Sequence, residues 1–226
     1  GMRFADELLA SRTGWRILSV GLVVLVAATF AMMYPPNPDF AAILDLVDRV
    51  RLGDRLYVDI LEPNPPMVFL LFAPPVILGA GLGVNDLPVA MAWTFLLCGG
   101  ALAVTATLGA RALPRASSVE RRALFALLGV MTVSLPVADT GQRELLFFTL
   151  CLPYVAAALA AREGKSLSRT ERVVVGILGG IGFGLKPYFI AVWLGVEAWL
   201  QLTTHRRAVA ARGENGVMVA MGLVFV

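Results

Sequence analysis

Apolar and polar positions alternate along this chain on the scale of whole helices. Residues 17–33, 67–84, 87–110, 123–138 and 145–161 carry no Asp, Glu, Lys or Arg, and short polar intervals separate them. About 17–25 consecutive apolar residues match the hydrocarbon thickness of a bilayer and exceed what a soluble core helix needs. The pattern predicts spanning helices at 17–33, 87–110, 123–138, 145–161, 173–185 and 188–203, and another beginning at Gly216. The interval from Tyr34 to Met67 departs from it. Pro35, Pro36 and Pro38 end the first helix. Ala42, Ile43, Leu46, Val47 and Val50 then recur at spacings of three and four, with charges on the other face. Residues 39–52 therefore form an amphipathic helix lying at the membrane surface, and Gly53 is its stop.

Composition and charge set the topology. Of 226 residues, 58% are hydrophobic and 15% charged, against about half and a quarter in a soluble domain. The net charge of +3 carries no sign of a nucleic-acid partner, because the basic residues lie in loops between apolar runs. If residues 67–84 span, the basic loops 111–122, 162–172 and 205–212 fall outside. If that segment is re-entrant or interfacial, those loops join Arg3, Arg12 and Arg16 inside. Of 19 Lys and Arg residues, only Arg49, Arg51, Arg55, Arg143 and Lys186 then lie outside. The second arrangement is favoured, and Pro65, Pro66, Pro74, Pro75, Gly79, Gly81 and Gly83 suit an irregular segment buried in protein. Residues 1–16 form a cytoplasmic N-terminus and 17–226 a transmembrane domain, with 34–86 as its extracytoplasmic loop. Segment 17–33 lacks a small-x-small cleavage site at its end, so it is a retained helix rather than a signal peptide. The final apolar run is too short to span, which predicts that the natural chain continues.

The candidate chemistry gathers on the outer side. Asp39 follows the first helix, as a catalytic carboxylate or as an N-cap. Tyr57, Asp59, Glu62 and Asn64 lead into a proline-stiffened turn, a positioned polar group or a plain connection. Residues 139–144 place Asp139, Arg143 and Glu144 in a short hairpin, richer in polar groups than a connection requires. Glu144 there is equally an ordinary first-turn acid. Lys186 ends a glycine-rich helix whose Gly-x-x-Gly spacing points to close helix packing. Its ammonium is a lipid-phosphate contact or a snorkelling anchor. Glu197, inside an apolar run, is expected to be partnered or near a helix end. His205 is the only histidine, and Cys98 and Cys151 lie in apolar runs, so neither a His/Cys metal site nor a disulfide is expected. No nucleophilic triad, phosphate loop, dinucleotide fingerprint or zinc spacing is present.

In order, these landmarks resemble the N-terminal half of the GT-C membrane glycosyltransferases, closest to their protein O-mannosyltransferase and aminoarabinose transferase branches. An acid follows the first helix (Asp39). The first outer loop closes with Gly53-x-x-x-Tyr57 and Glu62-Pro-Asn-Pro-Pro-Met67. A second acid opens a helix (Glu144-Leu-Leu-Phe-Phe148), and a glycine-rich helix ends in Lys186. Phe40 stands where many relatives have a second acid, Asn64 interrupts the usual basic-Pro step, and Asp139 competes with Glu144 for the second acidic position.

The resemblance implies an all-α polytopic bundle with a large first extracytoplasmic loop containing an amphipathic juxtamembrane helix. It implies sugar transfer from a polyprenyl-phosphate donor to an extracytoplasmic lipid, glycan or protein acceptor, at the outer face of a bacterial plasma membrane. Asp39 would then act as general base or orient the acceptor, and Glu62 and Glu144 would position substrates, with a divalent cation as an optional mediator. Lys186 would neutralise the phosphate, and Tyr57, Asp59, Asn64, Asp139 and Arg143 would contact substrate. Competing readings are a transporter or flippase-like protein, or a non-catalytic subunit whose outer loop binds a partner.

Overall fold

The computed structural model describes residues 37–63, 65–134, 139–204 and 212–224. The expected first helix and cytoplasmic N-terminus, Asn64 and the basic residues of 205–211 lie outside these. The described residues form eight α-helices and no strand: α1 Pro38–Leu52, α2 Met67–Leu82, α3 Asp86–Ala112, α4 Ser118–Gly129, α5 Arg143–Arg162, α6 Arg169–Gly184, α7 Ile190–Thr204 and α8 Gly213–Val224. A π-helical turn, Val130–Ser134, extends α4, and a 3₁₀ turn, Pro187–Phe189, precedes α7. Two described helices, α3 and α5, are long and apolar enough to cross a membrane, while α2 is apolar but shorter. At 27 residues α3 is about 40 Å long. Only 22% of its most apolar window is buried, unlike the core helix of a soluble fold. Leu82, Leu96 and Ile77 are likewise more than half exposed.

Local sequence explains the element ends. Asn37 caps α1 by accepting from the Asp39 backbone N–H, and Gly53 closes it at φ 118°, a conformation open to glycine. The buried face of α1 is Phe40, Ile43, Leu44 and Val47. Of the predicted stripe, Ile43 and Val47 are buried, Leu46 and Val50 are half-buried and Ala42 is exposed, so the buried face is turned toward Phe40 and Leu44. Ser117 and Ser168 open α4 and α6 with reciprocal capping boxes to Glu120 and Glu171.

The bundle is held by close approach rather than bulk. Gly176, Gly179 and Gly180 of α6 face Val217, Met218 and Met221 of α8. Gly182 faces Leu150 and Cys151 of α5, so the glycine stripe serves two neighbours, as small residues do between apolar helices. Both cysteines are buried and free.

Helix α2 differs from expectation. Its prolines and glycines predict irregular backbone, yet it is a continuous α-helix with Pro74 and Pro75 inside. It pairs antiparallel with the first half of α3: Gly79 abuts Asp86, and Trp93 Nε1 donates to the Leu71 carbonyl at 2.9 Å. The start of α2 already meets the end of α6, where Met67 packs on Gly184. The bundle thus has one acid-rich end, at the starts of α1, α3 and α5, and one basic end, where Arg111 of α3 reaches Ser166 and Glu171 at the start of α6.

Candidate functional site

At the acid-rich end, the hairpin before α5 is the organising element. Gly141 adopts φ 85°, and a Cβ there would stand 2.4 Å from the Phe40 ring, so only glycine lets α1 dock so closely. Phe40 itself is edge-on to Phe72 of α2, with ring centroids 5.2 Å apart. The docking brings Asn37 Nδ2 within 3.2 Å of Asp139 Oδ1. Asp39 lies one turn residue on from that contact, with its carboxylate exposed and no side-chain partner among the described residues. The N-cap role belongs to Asn37, not Asp39.

Arg143 and Glu144 open α5. Glu144 is ion-paired to Lys186, which sits between α6 and the 3₁₀ turn and lies 5.5 Å from the Tyr188 ring centroid. Burial is the largest single influence on Lys186 and disfavours its charge. Its hydrogen bonds to Glu144 and Tyr188 and the Glu144 charge together outweigh burial and hold the ammonium's pKa above its ordinary value. Arg143 is close enough for its charge to act on both partners. Its Nε and Nη1 are buried and make no hydrogen bond. Buried guanidinium nitrogens without acceptors are costly, and their free donors give this place the capacity to hold an anionic group. Beside this group lies an open cleft of about 460 Å³ lined by Met131, Asp139, Gln142, Glu144, Leu145 and Phe148. Its lining is mixed: Asp139, Gln142 and Glu144 are polar, and Met131, Leu145 and Phe148 apolar, with Met131 and Phe148 close to half exposed.

Tyr57, Asp59 and Glu62 form a second group, in the loop after α1. Asp59 accepts from the Arg55 guanidinium and backbone N–H, which lower its pKa. Burial, then the nearby Glu62 carboxylate, raise the pKa of the Tyr57 phenol. Tyr57 has φ 66°, the one described non-glycine residue in the left-handed region, which is strain of the kind that collects at functional sites. The loop reaches the first group through Met67, which packs against Gly184 two residues before Lys186.

The structure thus brings Asp139, Arg143, Glu144 and Lys186 together, sets Asp39 at the rim, and leaves Tyr57, Asp59 and Glu62 as a neighbouring cluster. Asn64 lies outside the described residues. A cation shared by Glu62 and Glu144 does not fit this arrangement: Glu144 is engaged by Lys186, and among the described residues no three Asp, Glu, His or Cys side chains are grouped as metal ligands. Two participants escaped the sequence reading. Asn37 was overshadowed as a capping residue by Asp39, two positions on, and Met131 of the apolar cleft wall read only as membrane helix. No family model, curated protein or solved structure matches the chain.

Proposed function

We propose that the chain is a membrane glycosyltransferase of GT-C type, transferring a sugar from a polyprenyl-phosphate donor to an acceptor outside the cytoplasm. The observation that carries the proposal is the half-buried Arg143 guanidinium, whose Nε and Nη1 are buried without an acceptor, beside Lys186 and an amphipathic cleft. A phosphate that must be gripped at one end of a long lipid asks for that combination: cations at a polar head and an apolar wall open to the bilayer. The acid-rich end is then extracytoplasmic and the basic end cytoplasmic, in keeping with the positive-inside rule. Pairing of α2 with only the first half of α3 supports an interfacial rather than spanning α2.

In the proposed reaction the acceptor hydroxyl attacks the anomeric carbon as the bond from that carbon to the phosphate oxygen breaks. The bonding pair leaves with polyprenyl phosphate, whose charge Arg143 and Lys186 neutralise. The hydroxyl proton passes to Asp39 as general base. Glu144 holds Lys186 in place until phosphate competes for it.

Membranes carrying the protein, supplied with radiolabelled polyprenyl-phosphate sugars, test this. Asp39→Asn and Lys186→Met are each expected to lower transfer at least about 100-fold. Equal transfer by Asp39→Asn and wild type removes Asp39 from the mechanism. Absence of transfer from every donor by correctly inserted protein overturns the enzyme reading in favour of lipid movement or a partner-binding subunit.

A further inference from the structure

The opposite end of the bundle carries a second surface that the transfer reaction does not use. Two connections meet there, between α3 and α4 and between α5 and α6. Arg111 clamps them by bonding to the Ser166 carbonyl at 3.3 Å and to both carboxylate oxygens of Glu171. Arg121 donates to the Leu113 and Ala116 carbonyls, and Arg172 donates to the Leu167 carbonyl at 3.0 Å. These three arginines are spent on holding the loops. Five further cations are exposed: Arg115, Arg162, Lys165 and Arg169, and Arg122, which also donates to the Ser118 carbonyl at 3.1 Å within its own helix. The local acids do little to balance them. Glu120 and Glu171 are turned back onto Ser117 and Ser168 in the capping boxes, which leaves Glu163 as the only other acid of the two connections.

One cation has an apolar neighbour: Arg162 stacks over the Trp199 ring at 5.2 Å. Leu202, three residues after Trp199 on α7, is 75% exposed, and Leu127, two turns along α4 from its start at this end, is 55% exposed. A cation paired with an indole at the end of apolar helices is the arrangement found at the headgroup level of a bilayer.

We propose that this rim binds anionic phospholipid headgroups of the inner leaflet, with Arg115, Arg122, Arg162, Lys165 and Arg169 on the lipid phosphates and Leu127, Trp199 and Leu202 against the acyl chains. The proposal rests on the membrane reading above. The rigid clamp at Arg111 keeps the two basic connections together, so their charges act jointly on the same lipids. Each exposed cation near a charged leaflet strengthens association about fivefold, and salt weakens it.

The chain reconstituted in nanodiscs of mixed phosphatidylcholine and phosphatidylglycerol tests this by the lipid retained on extraction into mild detergent. Wild type is expected to retain phosphatidylglycerol preferentially, with the preference falling as salt rises. Arg115→Gln/Lys165→Gln/Arg169→Gln is expected to lower the preference at least about fivefold, while Arg115→Lys/Arg169→Lys keeps it. The wild-type salt series needs no variant to fold. Equal retention of the two lipids by wild type at low salt overturns the proposal, and so does displacement of phosphatidylglycerol by free inorganic phosphate. Failure of the underlying reading looks different: a chain that alkaline carbonate strips from vesicles of either composition is not inserted in a membrane at all.

Discussion

Single residues decide whether the candidate site forms. Gly141 is the clearest case, because it combines φ 85° with a Phe40 ring 2.4 Å from where a Cβ would lie. Gly141→Ala is expected to destabilise the protein by about 1–3 kcal/mol, through overpacking plus left-handed strain. Thermal unfolding in detergent measures this. Phe40→Leu in the same chain should recover part of the loss, because it relieves the clash but not the strain. Full recovery would mean that the strain contributes nothing. Lys186 was legible in the sequence as a lone cation at the end of a glycine-rich helix. Its pairing with Glu144, 42 residues earlier, was not, since only the packing of α5 on α6 brings the two together. Asp39 and Asn37 show the same limit at closer range. Asn-Pro-Asp offers two capping side chains, and which one turns back is a matter of backbone geometry.

Helices carry a different kind of information. The existence of α1, its glycine stop and the ranges of α3 and α5 were legible, because each rests on periodicity or on an uninterrupted apolar run. The buried face of α1 was half legible, with Ile43 and Val47 expected and Phe40 and Leu44 not. The regular course of α2 was not. Pro74 and Pro75 remove donors and favour a break, but packing on α1 and α3 holds the segment helical across them. At the start of α6, Glu171 is bound by Arg111, by the Ser168 N–H and by the Ser168 hydroxyl-capped turn, and these hold its pKa down to about 2. A carboxylate with a lowered folded pKa stabilises above its ordinary value near 4.5 and loses that contribution as pH falls toward about 2. Glu171→Gln is therefore expected to melt below wild type at neutral pH, with the difference closing between these two values. A gap that persists unchanged to the acid end would assign the loss to shape rather than charge.

Across the whole molecule, α8 is packed on the glycine stripe of α6, and one polar network in an apolar setting ties α7 to α5 and to the start of α8. Tyr154 of α5 is fully buried and donates its hydroxyl to Glu197 of α7. Arg212, just before α8, binds Glu197 as well, and its Nη1 lies 3.1 Å from Glu214 of α8. Trp193 of α7 adds a bond to Asn215 at 3.3 Å. Helix α7 has little other anchorage: Leu200 is its only fully buried side chain, and Leu194 and Leu202 are exposed. The sequence led us to expect a partner for Glu197, but not two, one from α5 and one from the residue that precedes α8. Arg212 is the hub, since removing it strands two carboxylates at once. Arg212→Met is expected to cost about 3–5 kcal/mol, the range for breaking a buried pair. Glu197→Gln keeps an oxygen for Tyr154 and Arg212 and should cost markedly less. Adding Glu197→Gln to Arg212→Met removes one of the two stranded charges, so the double variant should be more stable than Arg212→Met alone. Unfolding by denaturant in detergent measures the cycle. Simple additivity of the two losses would show that Glu197 and Arg212 are neighbours without being coupled.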